Sequence, residues 1–198
     1  MQPLTTFLHS LANFTASELE TITSVWSRRQ TYNRGEFIVR AGEVETQVHF
    51  VLEGTQTIHY LENGKEMCVG FGYPGTILIA YPSFITGKPS DFYLQAIKKT
   101  ELLSLHYADW KMLMETLPTF REVWYKLTEQ GLLGMMAREV ELHLSSNAER
   151  YERLLKRSPK LLQLIQQRYV ASYLKMEPET LSRLKKASTK SNLLPVEK

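Results

Sequence analysis

From about residue 30 to residue 107, turn residues recur at short intervals, and this limits the fold more than any other feature of the chain. Asn33-Arg-Gly35, Ala41-Gly-Glu43, Glu53-Gly54, Asn63-Gly64, Pro74-Gly75 and Gly87-Lys-Pro89 separate short runs rich in β-branched and aromatic residues. Those runs are Phe37–Val39, Val48–Leu52, Thr55–Tyr60, Met67–Phe71 and Tyr93–Leu105. Short runs of these residue types set off by turns read as strands, which are usually about 5 residues long. The clearest hairpin is at Asn63-Gly64, because a two-residue type I′ turn needs positive φ at both central positions. Several such strands in succession predict an antiparallel roll, sandwich or barrel.

Helical periodicity brackets this region. Leu4, Phe7, Leu8 and Leu11 repeat at three and four, and Thr15-Ala-Ser-Glu18 reads as a capping box ahead of Leu19, Ile22 and Trp26. From Leu117 to about Leu144, Phe120, Trp124, Leu127, Gly131, Met135, Arg138 and Leu142 keep a helical spacing, which predicts one long helix. Such a stripe packs either on a partner helix or on the chain's own core, and periodicity alone leaves both open. Gly131 and Gly134 each cost about 1 kcal/mol of helix propensity, which points to a close helix approach or a bend. Ser145-Ser-Asn147 then caps a helix at Ala148–Lys156, followed by Leu161–Ile165, Gln167–Leu174, a turn at Lys175-Met-Glu177, and Pro178–Lys186. The fold class expected is α+β: an N-terminal antiparallel β-roll, a long helix, and a C-terminal helix-turn-helix. The last ten or so residues, rich in Ser, Lys and Asn, read as disordered.

The net charge of +3 conceals a division. Residues 1–145 carry 12 Lys and Arg against 16 Asp and Glu, a net of −4, while residues 146–198 carry 12 against 5, a net of +7. The boundary matches the change in pattern, so two domains are expected, 1–145 and 146–198, the second suited to a polyanion. No stretch approaches 18 consecutive apolar residues, which argues against a membrane span. The opening MQPLTTFLHSLANF has neither a basic stretch nor a long apolar core, so no secretory leader is expected. Cys68 is the single cysteine, which excludes an internal disulfide and a four-thiolate metal site. A cytoplasmic protein is the simplest reading.

In the last quarter, Val170, Ala171 and Leu174 form the inner face of one short helix, and Leu181 and Leu184 that of the next. The second helix turns Glu179, Thr180, Ser182, Arg183, Lys185 and Lys186 outward, and Pro178 suits its first position. A helix-turn-helix places the N-terminal residues of its second helix at base edges in the major groove. Arg183 suits guanine, Glu179 can accept from cytosine N4, and Thr180, Lys185 and Lys186 suit phosphates. The competing reading is a small solvated helical hairpin; the basic segment favours double-stranded DNA.

This order of parts resembles the Crp/Fnr (cyclic AMP receptor) family of bacterial transcription regulators, the source of one of the standard helix-turn-helix examples. The resemblance runs from about Leu4 to Lys186 through Gly35, Gly42, Gly54, Asn63-Gly-Lys-Glu-Met67 and Gly75, then the long helix and the helix-turn-helix. Tyr169-Val-Ala-Ser-Tyr-Leu174 with Pro178-Glu-Thr-Leu-Ser-Arg183 looks like a Bacteroidetes-type branch. The resemblance implies a homodimer held by the long helices, here Phe120, Trp124, Leu127, Gly131 and Met135, with a ligand chamber in each roll and RNA polymerase as a further partner.

The family's cyclic AMP cassette breaks down here. Members that bind cyclic AMP carry a ribose-binding glutamate and, nine residues later, a phosphate-pairing arginine. Aligned on Gly75 and Ala96, this chain has Ile79-Ala80-Tyr81 and Ser90-Asp91-Phe92 at those places. Ala80 cannot bond a ribose, Ser90 cannot pair an anion, and Asp91 repels one, so cyclic AMP is not expected. Ala80, Tyr81, Ser90, Asp91 and Phe92 remain as pocket candidates for another small molecule, with Phe71, Phe84 and Tyr93 numerous enough to plug the chamber instead. Pro178 replaces an arginine that many members place before the glutamate, so the DNA site should differ from theirs. No β-wing run follows the second helix, which predicts weaker binding and a smaller salt slope.

Enzyme readings find little support. His49, His59 and His106 are available to a haem, but isolated strand histidines are more often structural. His49 and Glu53 would lie about 13 Å apart along a strand, too far to share a metal. No His-x-His pair, Gly-x-Ser-x-Gly or phosphate-cradling glycine loop occurs. The alternative function is a small-molecule-binding module acting through protein contacts.

Overall fold

The computed structural model describes residues 1–143, 146–159 and 161–191. Two helices open the chain, α1 (Gln2–Leu11) and α2 (Ala16–Val25). The capping box forms as expected: Thr15 Oγ1 accepts from the Glu18 amide at 3.2 Å, and the Glu18 carboxylate accepts from the Thr15 amide at 2.8 Å.

Two four-stranded antiparallel sheets follow. One has β1 (Arg28–Tyr32), β8 (Thr100–His106), β3 (Gln47–Glu53) and β6 (Ile77–Leu78) side by side in that order. The other has the order β2 (Phe37–Val39), β7 (Tyr93–Ala96), β4 (Gln56–Glu62) and β5 (Lys65–Gly72). The β4–β5 hairpin turns at Asn63 and Gly64 with φ of 52° and 77°, the two positive values its turn type requires.

Side chains alternate across a strand, so β3 and β8 supply two cores at once. Val51 and Leu102 point into the roll with Val39, Leu78, Ala80 and Leu94. Their neighbours Phe50 and Leu103 point outward, beneath Leu8, Ile22 and Trp26. Burial on both faces explains why these strands read as continuous apolar runs. Each fully buried Leu or Phe contributes about 2 kcal/mol.

The Tyr93–Leu105 run is not one strand, as the sequence pattern implied, but two. Ile97 and Lys98 leave the ladder because their amides donate to the Thr55 carbonyl at 2.9 and 3.3 Å. Gly54 makes this approach possible: a Cβ there would lie 2.3 Å from the Lys99 carbonyl oxygen, at a φ of +85°. The short elements β1, β6 and α3 (Tyr81–Thr86) had not been anticipated.

After β8 come α4 (Tyr107–Thr116) and the long helix α5 (Pro118–Leu142). The expected end of that helix near Leu144 lies outside the described residues, as does Ser145, the first residue of the cap read for the next helix. The stripe assigned to a partner helix divides. Phe120 (2% exposed) and Trp124 (6%) are buried in the core beside the roll, with Leu127 packed against it, so these three hold the chain's own helices together. This corrects their assignment to a dimer face. Gly131 and Met135 are exposed, with nothing within 4 Å of a Cβ at Gly131. Beyond Gln130 the apolar side moves around the helix: Leu132, Leu133, Met135, Met136 and Val140 are all exposed, Leu133 by 65% and Met135 by 70%. At about 100° per residue, most of these lie opposite the Phe120–Trp124 side.

Four helices complete the described residues: α6 (Asn147–Arg157), α7 (Leu161–Leu164), α8 (Gln167–Tyr173) and α9 (Pro178–Ser191). Tyr151, Leu154, Leu161, Ile165, Tyr169, Val170, Ala171, Leu174 and Leu181 form their core, which the roll joins through Ile97, Phe71 and Tyr73.

Candidate nucleic-acid interface

The helix-turn-helix is built as its residue pattern requires. Val170, Ala171 and Leu174 of the first helix and Leu181 of the second are fully buried against one another. The turn closes through Lys175, whose φ is 50°, and through the Met176 amide, which donates to the Ala171 carbonyl at 3.0 Å. Pro178 opens α9, and the helix continues past Lys186 to Ser191. The tail from residue 192 lies outside the described residues.

On α9 the polar positions divide by angle. With Leu181 facing the core, Glu179, Ser182, Arg183 and Lys186 share the outward stripe, and Thr180 and Lys185 flank it on either side. Glu179, Arg183, Lys185 and Lys186 are exposed, and Thr180 and Ser182 half-buried. The structure therefore groups Glu179, Ser182, Arg183 and Lys186 on one accessible face, with Thr180 and Lys185 at its opposite edges and Lys186 nearer its centre than the phosphate assignment implied.

The pocket candidates do not stay together. Ala80 lies in the interior of the roll. The Ser90 hydroxyl accepts from the Phe92 amide and donates to the Phe92 carbonyl, both at 3.0 Å, so it is consumed by its own turn. Phe84 is committed to the outer core, and Tyr81 is partly exposed beside it on α3. Asp91 and Phe92 line a cavity of about 630 Å³ that opens between the roll, α5 and α8. Its other walls include Tyr60, Met67, Val69, Arg138, Ser172 and Lys175. At the place matching the family's cassette Ala80 and Ser90 are thus buried, and this cavity lies at the junction with the helix-turn-helix.

The histidines have structural partners. His49 Nδ1 lies 2.8 Å from Ser104 Oγ, and its Nε2 faces the buried Glu45 carboxylate at 3.6 Å. His59 stacks on Tyr93 with ring centroids 5.3 Å apart, and burial holds its pKa below 6.5. His106 caps α4 by accepting from the Ala108 amide at 3.3 Å. No cluster of metal-ligating side chains occurs among the described residues.

Sequence reasoning missed how the helix-turn-helix meets the rest of the chain. The Ser172 hydroxyl accepts from the Cys68 amide at 3.0 Å, Tyr173 packs on Phe71, and Lys98 Nζ donates to the Leu164 carbonyl at 3.0 Å. These partners are 66 to 104 positions apart in the chain, and no local pattern signals them. Leu132, Leu133 and Met136 were visible as apolar residues, but they fall outside the stripe begun at Phe120, to which Met135 belongs.

A roll followed by a long helix and a helix-turn-helix defines the class of protein. Residues 29–117 match the cyclic nucleotide-binding domain family. The c-di-GMP responsive global regulator CLP of Xanthomonas campestris is similar over 93% of this chain and 96% of its own, at 18% identity and a TM-score of 0.68. FixK2 of Bradyrhizobium japonicum is similar over 86% and 88%, at 19% identity and a TM-score of 0.73. The catabolite activator protein of Thermus thermophilus is similar over 97% and 90%, at 21% identity and a TM-score of 0.54. At these identities the likeness is one of fold. No curated protein matches the chain. The chain thus shares the fold of these regulators, and residues 29–117 carry the match to the cyclic nucleotide-binding domain family. No helix among the described residues is long and apolar enough to cross a membrane.

Proposed function

We propose that this chain is a dimeric, sequence-specific DNA-binding regulator and not an enzyme. Residues 1–145 serve as sensor and dimer arm, and residues 146–198 read DNA. The observation that carries the reading is the outward face of α9, where Glu179, Arg183 and Lys186 are exposed and Ser182 half-exposed while Val170 and Ala171 of α8 are buried against Leu181. Arg183 and Glu179 read base edges, and Lys185 and Lys186 hold phosphates. Leu132, Leu133, Met136 and Val140 of α5 are the face for a second copy, with Met135 at its edge, since exposed apolar side chains clustered on one side of a helix mark an interaction surface.

The regulator does not respond to cyclic AMP, because Ala80 and Ser90 are built into the protein interior where the anchors would stand. Any effector instead enters the cavity beside Phe92 and Lys175. Fluorescence anisotropy on duplex DNA at rising salt tests the reading. Binding that weakens steeply with salt and is abolished by combining Arg183→Ala with Lys185→Ala supports it. Binding unchanged in that double variant refutes the α9 surface, and no binding by the unaltered protein favours a module that acts through protein contacts. Addition of cyclic AMP is expected to leave the melting temperature unmoved.

A further inference from the structure

Arg138 lies on the side of α5 that faces its own chain, where it meets the sensor sheet and the helix-turn-helix at once. Its Nη2 donates to the Cys68 carbonyl on β5 at 3.4 Å and to the Tyr173 carbonyl at the end of α8 at 3.2 Å. Its guanidinium carbon sits 4.5 Å from the centroid of the Tyr173 ring. Beside it, Ser172 Oγ accepts from the Cys68 amide at 3.0 Å and donates to the Glu66 carbonyl at 3.1 Å. β5 is an edge strand, so its outward amides and carbonyls have no neighbouring strand. Ser172 and Arg138 take the place of that strand. Because α8 and α9 share one buried core, fixing α8 fixes α9.

We propose that Arg138 is a positioning residue for DNA reading: it clamps α8 to β5 and α5, so that the two recognition helices of a dimer match one half-site spacing. The inference rests on the dimeric DNA reading given above. A planar guanidinium can stack on a ring while it bonds two carbonyls, and a lysine ammonium cannot hold that geometry. Arg138→Lys therefore fails to rescue what Arg138→Ala loses.

Cys68 supplies a reporter independent of DNA. It is the chain's single cysteine and 3% exposed, with its thiol pushed up to about 12 by burial. Its amide and carbonyl are two of the clamp's three attachment points on β5, the Glu66 carbonyl being the third, so opening the clamp uncovers it. Iodoacetamide should label Arg138→Ala and Arg138→Lys roughly tenfold or more faster than the unaltered protein, at equal helix content by circular dichroism. Ser172→Ala, which removes one hydroxyl, should shift the rate in the same direction and keeps the test open if Arg138→Ala does not fold. In selection from random duplex DNA, the Arg138 variants should keep the same half-site but accept a broader range of spacings. Labelling rates unchanged in all three variants overturn the clamp. Faster labelling with spacing as narrow as in the unaltered protein overturns its role in DNA reading. If the unaltered protein enriches no site, the DNA reading itself fails and this inference falls with it.

Discussion

Glu141 and Arg157 form an ion pair at 2.7 Å across the point where the long helix gives way to the helix-turn-helix unit. The Glu141 side chain is 8% exposed, and Arg157 also donates to the Tyr173 hydroxyl at 3.2 Å. Removing Arg157 strands a buried carboxylate, which costs far more than losing a surface pair. Arg157→Ala should lower unfolding stability by about 2 kcal/mol, less than for a fully buried pair because Arg157 itself is partly exposed. Urea denaturation checks this, and a loss no larger than that of an exposed pair would show that the contact holds little together.

The two halves of α5 should respond oppositely to substitution. Met135→Glu, on the exposed apolar side, should convert a dimer to a monomer in sedimentation equilibrium while leaving each chain folded. Phe120→Ala, in the core, should instead cost about 3–5 kcal/mol of stability. A monomer formed by the unaltered protein at high concentration would remove the dimer from the account.

His59 makes stability depend on pH. Burial lowers its pKa below the unfolded value of 6.5, so the unfolded chain binds the extra proton first as pH falls. The contribution is fully present above 6.5 and is lost as pH falls through 6.5 towards the lower folded value. His59→Phe, which keeps a ring against Tyr93, should flatten the decline in melting temperature between about pH 7.5 and pH 5.5. An identical decline in the variant would assign it to another group.

On α9, base reading and phosphate binding should separate. Arg183→Ala should cost about 1–3 kcal/mol on a selected site and relax one base position. Lys186→Ala should weaken selected and random duplexes alike and lower the salt slope by about one. Equal losses for Arg183→Ala on both kinds of DNA would remove its base-reading role.

The fold was largely legible where local physics decides. The Thr15–Glu18 box, the Asn63-Gly64 hairpin and the Val170–Leu181 packing each follow from a few neighbouring residues, and each formed as read. What escaped was decided at long range. The break after Ala96 depends on Thr55, and the loss of Phe120 and Trp124 from any dimer face depends on the roll beneath them. The candidate surface on α9 was visible as a pattern. Arg138 was seen only as a member of a stripe, because its partners lie on β5 and α8.

The central claim is that the ligand-free chain reads DNA as a symmetric pair. Selection from a random duplex library with purified protein tests it most directly. The account predicts an enriched inverted repeat whose half-sites are centred about 34 Å, one helical turn, apart. Enrichment of no sequence, or of a single unrepeated half-site, would contradict it.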